Sequence, residues 1–176
     1  MATEITVMLA VNDAQAAVEF YKKAFGAEVY WTIGGDEHMV AGLAIGGARF
    51  FLATESPEFG TRGPLEAGFT TVRIELFVDD PAAVHAKAIA AGARQHSEVK
   101  EHKYPVVGPK PIGRMLQGAV VDPFGYVVGW EVFGLRGEIC GKGALKSIDL
   151  ADMGRSGAAP AHERGDARAR LTDTLG

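Results

Sequence analysis

The feature that most constrains the fold of this chain is an internal repeat. Residues 16–28 align with residues 82–94, and six of the thirteen aligned positions are identical. In each copy an aspartate that can cap a helix precedes the segment, and a glycine stands where the helix should end. Alanine-rich helices can match by composition alone, but the shared cap, length and glycine favour duplication. Two copies are too few for a solenoid, so we predict a pseudo-two-fold pair of modules.

Strands flank both helices in the same order. Apolar residues at helical spacing predict a helix over 14–25, and alternating apolar residues with glycine turns predict strands over 4–11, 27–33, 38–45 and 48–54. The second copy predicts a helix over 81–91 and strands over 71–78, 93–99, 114–121 and 126–133. The expected fold class is therefore α+β: two βαβββ modules forming a cupped mixed sheet around a cavity, with a C-terminal tail.

The aromatic residues place the domain boundary. No Phe, Tyr or Trp follows Phe133, and such a segment offers little apolar area to offset its ordering entropy. We therefore expect a folded domain over 1–134, with modules at about 1–56 and 68–134. Residues 135–176 are predicted to be a tail that is either partly disordered or docked on a partner subunit.

The two faces of the predicted strands differ in character. Ile5, Val7, Leu9 and Val11 form an apolar face that we expect beneath a helix. The opposite faces combine charged residues with large apolar ones, namely Arg49, Arg73, Glu75 and Glu131 with Met8, Phe51, Phe77 and Phe133. A buried unpaired charge is costly, whereas apolar walls with a few polar groups are typical of a ligand pocket. A solvated sheet surface with scattered phenylalanines is the alternative.

Three segments carry a resemblance to a known family. Residues 17–28, 38–47 and 121–130 together resemble the glyoxalase, bleomycin-resistance and extradiol dioxygenase superfamily, also called vicinal oxygen chelate proteins. The likeness is greatest to its demethylubiquinone-methyltransferase-like branch and covers about residues 4–134. It implies two βαβββ modules, a cupped sheet and a homodimer.

The resemblance also implies where a metal ion would bind. Enzymes of the superfamily hold a divalent metal through His, Gln or Glu on the first and last strand of each module. Those positions fall here on Thr6, Phe51, Arg73 and Gly129, which are not usual metal ligands. We therefore expect no metal and no other cofactor. A two-residue shift in alignment leaves one alternative, a divalent metal held by His38, Glu75 and Glu131.

The expected site residues follow from the mixed faces. Two interpretations are open for Arg73, Glu75 and Glu131. They form either a structural ion-pair network or an anchor for a ligand, in which Arg73 binds a carboxylate or phenolate. Glu75 and Glu131 are the candidate catalytic residues, since a raised pKa would make either a general base. The expected ligand-binding residues are Arg73, Arg49, Phe51, Phe77, Met8 and Tyr104. Tyr104 belongs to the loop 101–113, a lid or an inert connection, and Trp31 and Trp130 are expected in the core.

Composition excludes some classes of partner. The net charge of −4 leaves no basic excess for nucleic acid, and no apolar run is long enough to span a membrane. A single cysteine and no signal-peptide pattern lead us to expect a cytoplasmic protein. The sequence therefore predicts a metal-free binder of a small organic molecule that sequesters a drug or metabolite, as in antibiotic resistance. The alternatives are a metal-dependent lyase, isomerase or dioxygenase with a displaced site, and metal-free acid–base catalysis.

Overall fold

The computed structural model describes residues 3–35, 37–103 and 114–134, apart from the side chains of 114, 133 and 134. These ranges belong to one compact unit. The predicted tail and most of the predicted lid, including Tyr104, lie outside the described residues. The expectations for those segments stay predictions.

The first module is a βαβββ unit. Its elements are β1 (Val7–Val11), α1 (Ala14–Phe25), β2 (Glu28–Gly34), β3 (Met39–Ile45) and β4 (Ala48–Thr54). The strand order is β1-β4-β3-β2, with β1 parallel to β4 and the other pairs antiparallel. The connection to the second module contains a 3-10 turn (Pro57–Phe59) and a short helix, α2 (Pro64–Ala67), which the sequence analysis did not predict.

The second module repeats this arrangement. Its elements are β5 (Arg73–Phe77), α3 (Pro81–Ala90), β6 (Arg94–His102), β7 (Arg114–Val121) and β8 (Val127–Gly134). The strand order β5-β8-β7-β6, with β5 parallel to β8, is that of the first sheet. The prediction of an α+β protein with two βαβββ modules is confirmed. In the described ranges no helix is long and apolar enough to cross a membrane.

Both N-caps and the C-cap of α1 are those that the repeat predicts, whereas the C-cap of α3 is Ala91 in a right-handed conformation and the predicted Gly92 follows it. The side chain of Asp13 accepts a 2.8 Å hydrogen bond from the backbone N–H of Ala16, and Asp80 accepts one of 3.0 Å from Ala83. Each bond satisfies an N–H that the first helical turn leaves without a partner. Gly26 ends α1 in the left-handed conformation, with φ of 68°.

One apolar core joins both modules, and it lies on the helix-covered faces of the sheets. Leu52 and Trp130, from β4 and β8, are completely buried in it. The expectation for β1 is wrong in part: Leu9 and Val11 are buried, but Ile5 is 94% exposed and Val7 is 51% exposed. The strand begins only at Val7, so the residue before it that was expected in the core lies outside the sheet.

Two hydrogen bonds cross between the modules at the turn before β8. The Tyr21 hydroxyl donates to Oδ2 of Asp122 at 2.9 Å, and the Tyr126 hydroxyl donates to the carbonyl oxygen of Ala10 at 2.8 Å. Asp122 is buried, and its Oδ1 accepts hydrogen bonds from the backbone N–H groups of Phe124 and Tyr126. The turn therefore attaches the second module to α1 and β1 of the first.

Candidate functional site

The face of each sheet opposite its helix, which we call the open face, carries the predicted site residues other than His38 and Tyr104. In the first sheet Met8 and Gly42 both pair with Phe51, and Trp31 pairs with Gly42. Because residues paired across neighbouring strands share a face, these four positions form a continuous row on the open face.

A β-bulge in β2 adds one more aromatic residue to this row. Val29 pairs with Leu43 and Trp31 pairs with Gly42, so Tyr30 has no partner on β3. A bulge of this kind inserts one residue and redirects the side chains beside it. As a result, consecutive residues Tyr30 and Trp31 both line the same cleft, which a regular strand with alternating side chains would not allow.

This cleft has a volume of about 320 Å³ and lies entirely on the first module. Its lining consists of Glu4, Thr6, Tyr30, Trp31, Gly42, Leu43, Arg49 and Phe51. The rings of Trp31 and Phe51 meet edge to face, with centroids 5.0 Å apart. The Trp31 indole lies against the bare backbone of Gly42, where a Cβ would come within 2.5–2.9 Å of the indole atoms. Gly42 therefore makes the space that the indole occupies.

Arg49 supplies the positive charge of the cleft. Its guanidinium lies over the Tyr30 ring, 5.5 Å from the centroid, which is a cation–π distance. Its ion pair with Glu4 is long, at 3.9 Å, and both side chains are more than half exposed. Such a pair contributes little to stability, so the guanidinium can be shared with a ligand.

Trp31 is the site residue that the sequence analysis missed. It was expected in the core, but it is 38% exposed and lines the cleft. Trp130, by contrast, is fully buried as expected. The Gly42 position on the neighbouring strand, together with the extra residue of the bulge, is the signal that could have identified Trp31 as an open-face residue.

The open face of the second sheet is charged rather than aromatic. Arg73 and Glu75 form an ion pair above Gly129, and a Cβ on Gly129 would collide with both side chains. Oε1 of Glu131 accepts a 2.6 Å hydrogen bond from the Gln117 amide, and Phe77 pairs with Glu131 across the ladder. The expected proximity of Arg73, Glu75 and Glu131 on one face is what the structure has.

Glu75 is affected by its burial and by both charged neighbours on this face. Burial raises the pKa of Glu75 above its ordinary value, the Arg73 guanidinium lowers it, and the Glu131 carboxylate raises it again. The net effect is upward because the loss of solvation outweighs the ion pair. Among the described residues no cation forms an ion pair with Glu131. This face can therefore accept a proton or hold a positively charged group.

The predicted ligand-binding residues are thus divided between the modules. Arg49 and Phe51 line the first-module cleft with Trp31, and Met8, which is 53% exposed, lies beside Phe51. Arg73 and Phe77 lie with the glutamates on the second module, where Phe77 is 56% exposed.

His38 is separate from both groups. It lies on a second cleft of about 260 Å³, with Thr54 and Ser56 among its other lining residues. The alternative metal set of His38, Glu75 and Glu131 is not assembled, and within the described ranges no three His, Cys, Asp or Glu side chains are close enough to hold a metal.

The superfamily metal positions do not fit a metal either. Thr6 and Phe51 line the aromatic cleft, and Arg73 lies over Gly129. The phenylalanine ring offers no donor atom, glycine has no side chain, and the guanidinium of Arg73 repels a cation. The residues at these positions therefore do not fit the superfamily's usual set of His, Gln and Glu ligands.

Comparison with known proteins identifies the family. A family model described as a glyoxalase-like domain matches residues 6–127. The chain belongs to the glyoxalase-like domain family. A relative from Mycobacterium bovis, the uncharacterized protein Mb0911c, is 32% identical over 123 residues, which cover 67% of this chain and 75% of that protein. The name of that relative states no activity, so it suggests none for this glyoxalase-like protein.

Solved structures share the fold. The Arabidopsis thaliana gene product At5g48480 is 26% identical, with a TM-score of 0.53, covering 76% of this chain and 100% of that one. A glyoxalase/bleomycin resistance protein/dioxygenase family enzyme from Burkholderia phytofirmans is 18% identical, with a TM-score of 0.55, covering 73% of this chain and 97% of that one. These likenesses show that the glyoxalase-like domain shares its fold with those two proteins.

Proposed function

We propose that this protein binds a small organic molecule without a metal ion and sequesters it. The observation that carries the proposal is the open-face cleft, in which Trp31 and Phe51 provide an aromatic wall and Arg49 a charged group. Apolar walls with a few polar groups are the usual composition of a ligand site, and about 320 Å³ suits a small ligand. Sequestration of a drug or metabolite in the cytoplasm, including a role in antibiotic resistance, rests on the family resemblance. The demethylubiquinone-methyltransferase-like branch stays a prediction.

Ligand screening in the presence of a chelator tests this proposal. Small aromatic metabolites and antibiotics are added to untagged protein in EDTA, and the emission of Trp31 and the thermal unfolding midpoint are recorded. We expect at least one compound to stabilise the protein by mass action and to be recovered unchanged by mass spectrometry. Stoichiometric metal in the purified protein, or binding that EDTA abolishes, would contradict the metal-free proposal and favour a metal-dependent lyase, isomerase or dioxygenase.

A homodimer is part of the proposal. Met8 and Phe77 are each more than half exposed on the open faces of a single chain, and exposed apolar area of this kind is a feature of interfaces. The two open faces also differ in charge. The first sheet carries Arg49, and the second carries the carboxylates of Glu75 and Glu131. Analytical ultracentrifugation tests the assembly, and replacing Met8 and Phe77 by lysine should give monomers.

Metal-free acid–base catalysis is a second candidate, favoured by the raised pKa of Glu75 beside Glu131. A carboxyl group with a raised pKa holds and releases a proton closer to neutral pH than an ordinary one. If the bound compound is converted, Glu75→Gln should abolish turnover while binding survives. A ligand that is recovered unchanged from the wild-type protein would exclude this candidate for that ligand.

A further inference from the structure

We infer that the ligand of the first-module cleft is a planar aromatic anion, whose ring packs on Trp31 and Phe51 and whose negative group pairs with Arg49. This inference rests on the proposed function, because it names the class of ligand for the same cleft. It goes further in assigning the two parts of the ligand to two parts of the site.

The aromatic part of the ligand is inferred from the aromatic wall of the cleft. Trp31 is held against Gly42 and meets Phe51 edge to face, so the indole has a fixed orientation while 38% of the residue stays exposed. A rigid aromatic surface favours a flat apolar partner, because stacking adds to the burial of area. The volume of about 320 Å³ has room for one or two fused rings with small substituents.

The negative charge of the ligand is inferred from the different constraints on Arg49 and Glu4. Arg49 is on β4 and is also positioned by the Tyr30 ring, whereas Glu4 lies in the irregular segment before β1. The N–O distance of 3.9 Å is at the limit of an ion pair. An anionic ligand can therefore replace Glu4 at a guanidinium that is already oriented, and a planar carboxylate can accept two parallel N–H bonds from it. A cationic ligand would be repelled by Arg49 and would have the less constrained Glu4 as its carboxylate partner in the cleft.

The cleft also offers neutral polar groups around this charge. The hydroxyl of Thr6 and that of Tyr30 belong to its lining residues. Such hydroxyls can donate to a phenolate or carboxylate oxygen that Arg49 leaves without a partner. The site is thus apolar on the Trp31 side and a donor of hydrogen bonds on the Arg49 side.

Three probes of equal shape test the inference: naphthoate, naphthylmethanol and naphthylmethylammonium with the same substitution pattern. Titrations follow Trp31 emission in the full chain at low salt, and Trp31→Phe assigns the signal, since Trp130 is fully buried. We expect naphthoate to bind about tenfold more tightly than the alcohol, with the ammonium weakest. Arg49→Gln should remove this preference, and added salt should reduce it.

Arg62→Gln is the matched control. Arg62 is also an exposed arginine paired with a glutamate, at 2.6 Å from Glu66, but it lies outside the cleft. The Arg62→Gln variant should keep the preference for naphthoate over the alcohol. A preference that survives in Arg49→Gln, or equal binding of alcohol and carboxylate, would overturn the anion inference while leaving a small-molecule site in place. If none of the three probes changes Trp31 emission or the unfolding midpoint, the inference fails, and the proposed function loses its support at this cleft.

Discussion

The hydroxyl of Tyr21 donates a 2.9 Å hydrogen bond to Oδ2 of Asp122, across 101 residues of sequence. Tyr21 is on α1 of the first module and Asp122 precedes the last strand of the second, so one buried bond links the two copies of the repeat. Burial raises the pKa of the Tyr21 hydroxyl well above its ordinary value, and the Asp122 carboxylate raises it further. The tyrosine therefore remains a proton donor throughout the ordinary pH range.

Tyr21→Phe should destabilise the protein by about 1–3 kcal/mol, because Asp122 then stays buried with one donor fewer. Urea unfolding at neutral pH measures the effect. The exposed Tyr30 provides a control, and Tyr30→Phe should change the free energy of unfolding by less than about 0.5 kcal/mol. Equal stability of Tyr21→Phe and wild type would show that the bond between the modules contributes nothing.

The protonation of Asp122 should make the free energy of unfolding depend on pH. Burial raises the pKa of this carboxyl from 3.8 to about 6, despite hydrogen bonds from Tyr126, Tyr21 and Phe124 that lower it. The folded state therefore binds a proton more tightly than the unfolded chain does. The resulting stabilisation is complete below about pH 4 and is lost as the pH rises through about 6, amounting to about 3 kcal/mol.

Asp122→Asn isolates this contribution, since the amide can still accept from the backbone and donate to Tyr21. The free energy of unfolding of the variant, relative to wild type, should increase between pH 4 and pH 7. Denaturant titrations across that range measure the difference. A constant difference would mean that Asp122 has the same pKa in the folded and unfolded states.

Two glycines of the second sheet should respond differently to the same substitution. A Cβ on Gly118 would lie 2.8 Å from the buried indole nitrogen of Trp130 and 3.2 Å from the backbone of Val99. Gly118→Ala should therefore cost about 1–3 kcal/mol through overpacking. At Gly129 the obstructing atoms are the ends of the Glu75 and Arg73 side chains, which can turn into solvent.

Gly129→Ala should accordingly cost less than about 1 kcal/mol in stability. Thermal or urea unfolding of the two alanine variants compares them directly. A greater loss at Gly129 than at Gly118 would show that the Arg73–Glu75 ion pair is held rigidly over the sheet.

Gly42→Ala should damage the cleft without unfolding the protein. The new methyl group would occupy the space of the Trp31 indole, so the indole has to move away from the sheet. Iodide quenching of tryptophan fluorescence should increase, and affinity for aromatic ligands should fall. Gly35→Ala, where a Cβ meets no atom within 4 Å, is the control. Unchanged quenching and binding in Gly42→Ala would contradict the position of the indole.

The repeat and the caps predicted the fold because they are local signals. Asp13, Asp80 and Gly26 each act within one helical turn, and their positions set both ends of α1 and the start of α3. Alternation also identified the open-face residues Arg73, Glu75 and Glu131. These predictions needed no knowledge of distant contacts.

Tertiary packing decided what the sequence could not. Trp31 has a large apolar side chain of the kind usually found in a core. Only its pairing with Gly42, after the bulge in β2, places it on the open face. The separation of His38 from the glutamates depends on the packing of two modules, which alternation along a single strand does not specify. Whether Glu75 or Glu131 takes part in a reaction stays a prediction.

The unpaired Tyr30 has a consequence for how such proteins diversify. Because the bulge is one residue long, deleting that residue would return β2 to simple alternation and turn one of the two neighbouring aromatics to the opposite side of the sheet. Under the proposed function, the length of this edge strand, as well as residue identity, would therefore affect ligand preference.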